Sequence, residues 1–359
     1  DVADFSFWEV PGFPGTRFEV FPGAPAVTGG DTVVFKGNFT VGDAEATGVY
    51  FRELEDRPIV LLDRSELEPG GGLAAVVGIA DSLGTLIPGT GTVFGSTAPP
   101  SAANDHVVFA GFDDEDAPTL GGIYLAPLRP GPPLTPLVSI GEPVPGERGE
   151  AFAAFGEGLA FTGRHVGFWG AWGDESRTVR LYCPTEGNRD RIAYCNQELV
   201  CADTGEVLGD PNSVCDDVSD PNHGVSCYQE KEVPVDQGIF VHDVRTGRTH
   251  VAAKTGEPFD EFLFWNYSGK TPCVGAGHSE EGGEDDGESV RWRSSAFVAV
   301  SSRGATFRAA FKARTGELEG GVWVDPVDGI HLARGPGRSR LVTVLDTTMD
   351  GQQLSLIHI

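Results

Sequence analysis

The sequence predicts an all-β protein, arranged as a β-propeller-like array of short antiparallel sheets with a disulfide-stapled loop insertion. Turn-forming residues are abundant, with 50 Gly and 25 Pro, whereas Met, a good helix former, occurs once. Apolar segments are short and are separated by polar turns, which is typical of strands. The third observation is a motif that recurs along the chain, as it does in repeat proteins.

The recurring motif is a Gly followed by an apolar, an aromatic and a second apolar residue. It occurs as GVYF at 48–51, GIYL at 122–125, GIFV at 238–241 and GVWV at 321–324. A Phe-centred element precedes each copy, as VVFKG at 33–37, VVFAG at 107–111, LAFTG at 159–163 and ATFRA at 305–309. A third apolar element with a polar turn follows each copy, so we expect three short strands in every unit.

The units are unequally spaced, which indicates that loops of different length are inserted between them. Blades of a propeller tolerate such insertions, whereas each coil of a solenoid must lie on the last. We therefore predict one propeller-like domain over residues 16–353 with about four or more repeats, interrupted by a Cys-rich insertion at 183–236 and an acidic loop at 275–288. Residues 1–15 form a separate N-terminal strand segment. Leu354–Ile359 matches the translation of a sequencing-library adapter, so we expect a non-native tail there, with a short final strand as the alternative.

The segment VGIADSLGTLIPGTGTVFG at 77–95, followed by VVFAG at 107–111 and GIYL at 122–125, resembles secreted bacterial tandem-repeat proteins of unknown function with variable C-terminal anchors. The resemblance covers most of the chain outside the Cys-rich insertion. It implies a β-propeller-like extracellular protein, and it brings no catalytic residue to this sequence.

Cysteines are confined to one part of the chain, at Cys183, Cys195, Cys201, Cys215, Cys227 and Cys273. An even, clustered set in an exported chain predicts three disulfides, with all fifteen pairings open. The alternatives are a zinc site or free thiols, although no pair has the close C-x2-C spacing that zinc ligands favour. Asn38 and Asn266 begin Asn-x-Ser/Thr sequons, which predict glycosylation in a glycosylating host and are chance matches in a bacterial one.

The chain is strongly acidic, with 53 Asp and Glu against 26 Lys and Arg and a formal net charge of −27. Such a charge repels the phosphates of nucleic acids and anionic lipid headgroups, so neither is expected as a partner. No apolar run reaches the roughly 18 residues that a membrane span needs. With the clustered Cys, these features predict an extracellular or cell-surface protein whose signal peptide has been removed.

Candidate chemical sites are few, and no residue is predicted to be catalytic. Asp113, Asp114 and Asp116 crowd carboxylates into one loop, which suits Ca²⁺, with a solvated acidic loop as the alternative. Trp169, Trp172 and Trp265 are candidates for stacking against sugars, with packing in the core as the favoured alternative. The protein is therefore predicted not to be an enzyme, and Ca²⁺ is the one cofactor considered.

The N-terminal segment indicates a role in assembly. Phe5, Phe7, Trp8 and Val10 lie in a strand-like stretch that precedes the first unit. Such a strand closes the ring within one chain or adds to an open sheet of a second copy, which builds a fibre. We therefore predict an extracellular structural protein that polymerises into a filament by N-terminal strand addition. The alternatives are a secreted carbohydrate-binding module assisted by Ca²⁺ and, less favoured, a glycan hydrolase.

Overall fold

The structure is a computed structural model. It describes residues 9–53, 76–115, 117–182, 199–200, 207–208, 228–256, 258–262, 265–268, 291–294, 296, 298–336 and 340–348. For residues 180–182, 199–200, 207–208, 228–231, 265–268 and 291–294 it describes the backbone alone. Within these ranges the named elements are all β-strands and the sheets are antiparallel, which confirms the predicted all-β class.

The first two sheets are built from strands that follow one another along the chain. The first sheet has the order β1 (Ala26–Thr28), β2 (Thr32–Val41), β3 (Ala44–Glu53) and β4 (Val77–Asp81). The second sheet contains β5 (Ser96–Thr97), β6 (Ser101–Ala103), β7 (His106–Phe112), β8 (Gly121–Pro127) and β9 (Thr135–Ser139). Its order is β5-β7-β8-β9, with β6 also paired to β7.

The third sheet has seven strands, and two of them are unusually long. It contains β10 (Phe152–Phe155), β11 (Ala160–Phe161), β12 (His165–Tyr182), β13 (Leu199–Val200), β14 (Val207–Leu208), β15 (Tyr228–Asp243) and β16 (Arg248–Lys254). A two-stranded ribbon of β17 (Trp265–Ser268) and β18 (Arg291–Ser294) follows. The fourth sheet has the order β19 (Val298–Arg303), β20 (Thr306–Glu319), β21 (Val322–Ala333) and β22 (Leu341–Asp346).

The four sheets pack face to face in chain order, with an apolar core between each consecutive pair. Successive side chains of a strand point to opposite faces, so one strand can serve two cores. In β7, Val107 and Phe109 lie in the core shared with the first sheet, whereas Val108 lies in the core shared with the third. In β12, Phe168 lies in the core between the second and third sheets, which we call the second core. Trp169 lies in the core between the third and fourth sheets, which we call the third core. The second and third sheets are therefore buried on both faces.

Each sheet contains a pair of aromatic rings facing each other across its two central strands. One ring belongs to a Phe-x-Gly or Phe-x-Ala segment, and the other belongs to a Gly-apolar-aromatic segment. The pairs are Phe35 with Tyr50, Phe109 with Tyr124, Phe168 with Phe240, and Phe311 with His331, with ring centroids 6.0, 5.8, 5.6 and 5.9 Å apart. The same registers place two small residues opposite each other, namely Gly37 and Gly48, Gly111 and Gly122, Gly170 and Gly238, and Ala313 and Gly329.

A third aromatic ring packs edge-on against each pair and completes what we call an aromatic trio. The contacts are Phe18 on Tyr50, Phe94 on Tyr124, Phe152 on Phe240 and Phe259 on His331, at centroid distances of 4.8, 5.2, 4.9 and 4.6 Å. Edge-to-face contact is a favoured geometry for aromatic rings. The small residue makes room for the third ring, because a Cβ atom on Gly37 would lie 2.5 Å from Cδ1 of Phe18. The trio and the small residue therefore form one packing unit.

The fourth unit corrects part of the sequence interpretation. GVWV at 321–324 was expected to be its Gly motif, but Gly320 and Gly321 form the turn between β20 and β21. Both adopt the left-handed backbone conformation of a tight turn, with φ of 56° and 83°. The motif is instead Gly329–His331, and a β-bulge follows Ile330 as it follows the apolar residue of the other three copies.

Two predicted Phe elements are also misplaced, and the strand count is too low. LAFTG at 159–163 and ATFRA at 305–309 lie in or near strands, but the rings at their expected place in the trios belong to Phe168 and Phe311. Each of the four large sheets has at least four strands rather than three. In the first two sheets the additional strands were missed because β1, β5 and β6 are only two or three residues long and carry no apolar periodicity.

The predicted Cys-rich insertion begins where the paired ends of β12 and β15 stop. Ser176 pairs with Pro234 and Tyr182 pairs with Tyr228, so the C-terminal part of the predicted 183–236 segment is strand. All six Cys, the acidic loop at 275–288 and Leu354–Ile359 lie outside the described residues.

Replacing Phe240 by Ala should lower the free energy of unfolding by about 3–5 kcal/mol, because a fully buried ring is lost from the second core. The matched substitution Phe21→Ala, at a side chain that is 47% exposed, should cost about 1 kcal/mol or less. Urea unfolding of both variants measures the difference. Equal losses would contradict the proposed packing unit.

Candidate functional site

The first sheet presents its trio of Phe18, Phe35 and Tyr50 at one end of the stack, and we call this surface the head face. In the other sheets the trio faces the preceding sheet. Here no sheet of the described part of the chain lies against it, and residues of the N-terminal segment cover it in part, with Val10 buried and its N–H donating to the carbonyl of Thr16. A cavity of about 330 Å³ beside the trio is lined by Phe18, Phe21, Pro22, Pro25, Val33 and Phe35, among others.

The outer face of the fourth sheet lies at the other end of the stack, and we call it the tail face. Along its strands, side chains that enter the third core alternate with side chains that point outward. The outward-pointing apolar residues include Ala310, Ile330, Leu332, Val342 and Val344. Ile330, Val342 and Val344 are 39%, 40% and 52% exposed. Exposed apolar residues in a group, rather than singly, are typical of interaction surfaces.

Ile330 shows how the tail face differs from the equivalent faces inside the stack. It occupies the apolar position of the Gly-apolar-aromatic motif, where the other sheets have Val49, Ile123 and Ile239. Those three residues are each 0% exposed, because the following sheet covers them. The apolar position of the motif is therefore buried by a following sheet in three units and exposed to solvent in the fourth.

A second cavity, of about 380 Å³, opens at the fourth sheet, with Ile330, Leu345, Lys312, Arg314 and Glu261 among its lining residues. Arg314 is fixed at its edge, since Nε and Nη2 donate to the two carboxylate oxygens of Asp328 at 2.7 and 2.9 Å. Such a fork is a geometrically specific ion pair. The guanidinium also lies 5.8 Å from the ring centroid of Trp323, which holds it in place.

A polar cluster joins the third sheet to the fourth. Arg164 donates from Nε and Nη2 to both carboxylate oxygens of Asp243, at 3.1 and 2.7 Å, and from Nη1 to the carbonyl of Gly304 at 2.7 Å. The Arg164 hydrogen bond holds the pKa of Asp243 well below its usual range. Because Gly304 lies in the turn between β19 and β20, this ion pair ties the ends of the two sheets together.

His165 and Ser302 extend this cluster. The Nδ1 atom of His165 lies 2.7 Å from the hydroxyl of Ser302, and its Nε2 atom lies 3.9 Å from Asp243, too far for a hydrogen bond. Burial lowers the pKa of His165, so the imidazole is neutral at pH 7. Although a hydroxyl, an imidazole and a carboxylate meet here, both oxygens of Asp243 are engaged by Arg164, which makes the cluster a cross-link between sheets.

The two described Trp candidates for sugar stacking lie in the cores. Trp169 is in the third core and donates from Nε1 to Oε1 of Gln237 at 3.2 Å, and Trp172 is in the second core. Both are less than 5% exposed, which fits the packing alternative. Trp265 begins β17, and its side chain lies outside the described residues.

The acidic loop proposed for Ca²⁺ uses its carboxylates to close itself. Asp113 accepts hydrogen bonds from the backbone of Thr119 and Leu120 and from the Thr119 hydroxyl, and Asp114 accepts one from Ala117. Asp116 lies outside the described residues. Elsewhere in the part of the chain that the structure describes, no group of three or more His, Cys, Asp or Glu is placed to hold a metal ion.

The remaining predicted positions are divided between described and undescribed segments. Phe5, Phe7 and Trp8 lie outside the described residues, whereas Val10 is buried against the first sheet of its own chain. Asn38 lies in β2, where its Oδ1 atom is buried and makes no hydrogen bond to any described residue. Asn266 lies in β17, and its side chain is outside the described residues.

Sequence inspection missed the third ring of each trio, although a signal for it was present in the first three units. A Phe stands before each Phe-x-Gly element of the first three units at a similar distance, from 18 to 35, from 94 to 109 and from 152 to 168. That spacing identifies the third ring of the trio in each of these three units and places Phe18 in the first unit.

No protein-family model matches the chain, and no curated protein is significantly similar to it. Over the ranges that the structure describes, there is no helix with the length and apolar character needed to cross a membrane.

Acidification from about pH 7.5 to about pH 5.5 should destabilise the fold, because burial lowers the pKa of His165, His242 and His331 below 6.5. The folded state then binds fewer protons than the unfolded state, so this stability is present above pH 6.5 and is lost as the pH falls toward the folded pKa. Each His contributes at most about 1.4 kcal/mol per pH unit.

The variant His331→Phe should lose less stability than the wild type over this range, because Phe retains the ring contacts with Phe259 and Phe311 but cannot bind a proton. Urea unfolding at both pH values gives the comparison. The same pH dependence in wild type and variant would contradict the assignment of His331.

Proposed function

We propose that this chain is an extracellular structural protein that assembles with other copies of itself into a filament. The observation that carries the proposal is the 39% exposure of Ile330, at a position that is fully buried by the next sheet in each of the other three units. Leaving such an apolar face in water costs about 25 cal/mol per Å², so covering it favours association.

The arrangement of the sheets supports a propeller-like fold, which is part of the same proposal. Consecutive antiparallel sheets of four or more strands pack face to face in chain order, as blades do. The clustered Cys and the acidic composition support an extracellular location. The first alternative, carbohydrate binding through Trp169 and Trp172, is less well supported, because it requires exposed ring faces and both rings are buried.

Two modes of assembly are consistent with this function. In the first, residues 1–10 add as a strand to a sheet of another copy. In the second, the open tail face is covered by a surface of another copy, in the way that the inner sheets cover one another. The two modes depend on different residues, so they can be tested separately.

The variant Ile330→Arg should convert assembled wild-type protein to single chains, because an unpaired charge would be buried in the contact. A cost of about 3 kcal/mol or more corresponds to an association about 100-fold weaker. Light scattering and electron microscopy of the full chain measure the size distribution. The control is Leu86→Arg, a side chain that is 54% exposed in the segment between the first two sheets and that should assemble like the wild type.

Loss of assembly on deleting residues 1–8, with Ile330→Arg unaffected, would favour strand addition instead. Single chains in the wild type at all concentrations would contradict the proposed function.

A further inference from the structure

We infer that the partner of the tail face is the head face of a second copy, so that the chains join head to tail. The inference rests on the proposed self-assembly and specifies its contact. Within one chain, three contacts between consecutive sheets already bury a face equivalent to the tail face. These contacts indicate which kind of surface covers it.

In each internal contact, the apolar position of one Gly motif lies in a core with the aromatic trio of the next sheet. Val49 of the first sheet shares its core with Phe94, Phe109 and Tyr124. Ile123 of the second sheet shares its core with Phe152, Phe168 and Phe240. Ile239 of the third sheet shares its core with Phe259 and Phe311. The surface that covers this position is therefore an aromatic trio in all three cases.

One trio in the described chain has no preceding sheet against it, and it belongs to the head face. Two of its rings, Phe18 and Tyr50, are only 3% and 1% exposed, so the open part of this trio is Phe35. Phe35 is half-buried, whereas its counterparts in the other three trios are buried. Phe21 is 47% exposed beside it and packs on Phe18 and Phe35, with centroid distances of 5.5 Å to each. The head face is thus an incomplete copy of the surface that covers Val49, Ile123 and Ile239.

The head and tail faces are different surfaces at opposite ends of one stack. A contact between different surfaces is heterologous, so every copy that joins leaves one head and one tail open. The product is a chain of copies that grows into a fibre, or a ring if the rotation between copies closes. A tail-to-tail contact would stop at a dimer and would leave the exposed ring of Phe21 and the half-buried ring of Phe35 on the head face in contact with water.

Charge sets the conditions under which this contact forms. Each copy carries a formal charge of −27, so copies repel each other at low salt. Arg308 and Lys312 are exposed on the strand that carries Ala310, which places cations on the tail face of an otherwise acidic protein. The measurements should therefore be made at about 0.15 M NaCl, where the screening length is about 8 Å.

Two variants of the full chain, each with one face blocked, test the inference. Ile330→Arg blocks the tail face, and Phe21→Arg blocks the head face. Each variant alone should remain a single chain in light scattering, because one of its faces cannot bind. An equimolar mixture has one open head and one open tail, so it should form particles of two chains and nothing larger. Val344→Arg and Val20→Arg, at side chains 52% and 48% exposed, serve as second blocking variants if either first choice fails to fold.

The outcomes separate this inference from the function on which it rests. Pairs formed by Phe21→Arg alone would show a tail-to-tail contact and overturn the inference, although assembly itself would stand. Fibres formed by both variants alone would also overturn it and leave strand addition as the mode. A wild type that remains a single chain, with slow hydrogen exchange around Ile330, would show that the chain covers its own tail face, and it would overturn both.

Discussion

The structure depends on one packing constraint, which is the fit of the aromatic trio. In each trio the third ring packs edge-on against an aromatic pair and lies over a small residue. Without the small residue the third ring would collide with a Cβ atom, as the 2.7 Å distance from Gly111 to a ring carbon of Phe94 shows. Without the third ring, a gap would open between consecutive sheets. Because cores are packed to nearly crystalline density, such a gap would weaken both sheets that border it. The small residue is Gly in the first three sheets and Ala313 in the fourth, and in the second, third and fourth sheets the trio lies at the contact with the preceding sheet.

The same constraint explains why the ends of the stack stand out. An inner sheet buries both faces, whereas the first and fourth sheets each have one face without a sheet against it in the described chain. Apolar residues remain at these faces because the repeat places them there, as at Ile330. The polar cluster of Arg164, His165, Asp243 and Ser302 has a different place, at the ends of two sheets, where it ties them together.

Much of the fold can be predicted from the sequence, but its register cannot. The Gly motifs at Gly48, Gly122 and Gly238 were identified correctly because an aromatic residue follows two positions later. The fourth was missed, since His331 takes the place of the aromatic residue and the turn at Gly320 and Gly321 precedes a Trp that imitates the motif. Which Phe pairs with which strand is a property of cross-strand hydrogen bonding, and a one-dimensional pattern does not contain it. The exposure of Ile330 could not be predicted from the sequence either, because the same motif position is buried in the other three units.

The most direct measurement is hydrogen exchange of the full chain, followed by mass spectrometry, at low and high protein concentration. If the two end faces bind each other, amides in β21, β22 and residues 18–25 should exchange more slowly at high concentration, while those in β7 and β8 should not change. Exchange that is independent of concentration at both ends would contradict the account, because no surface would then cover either face.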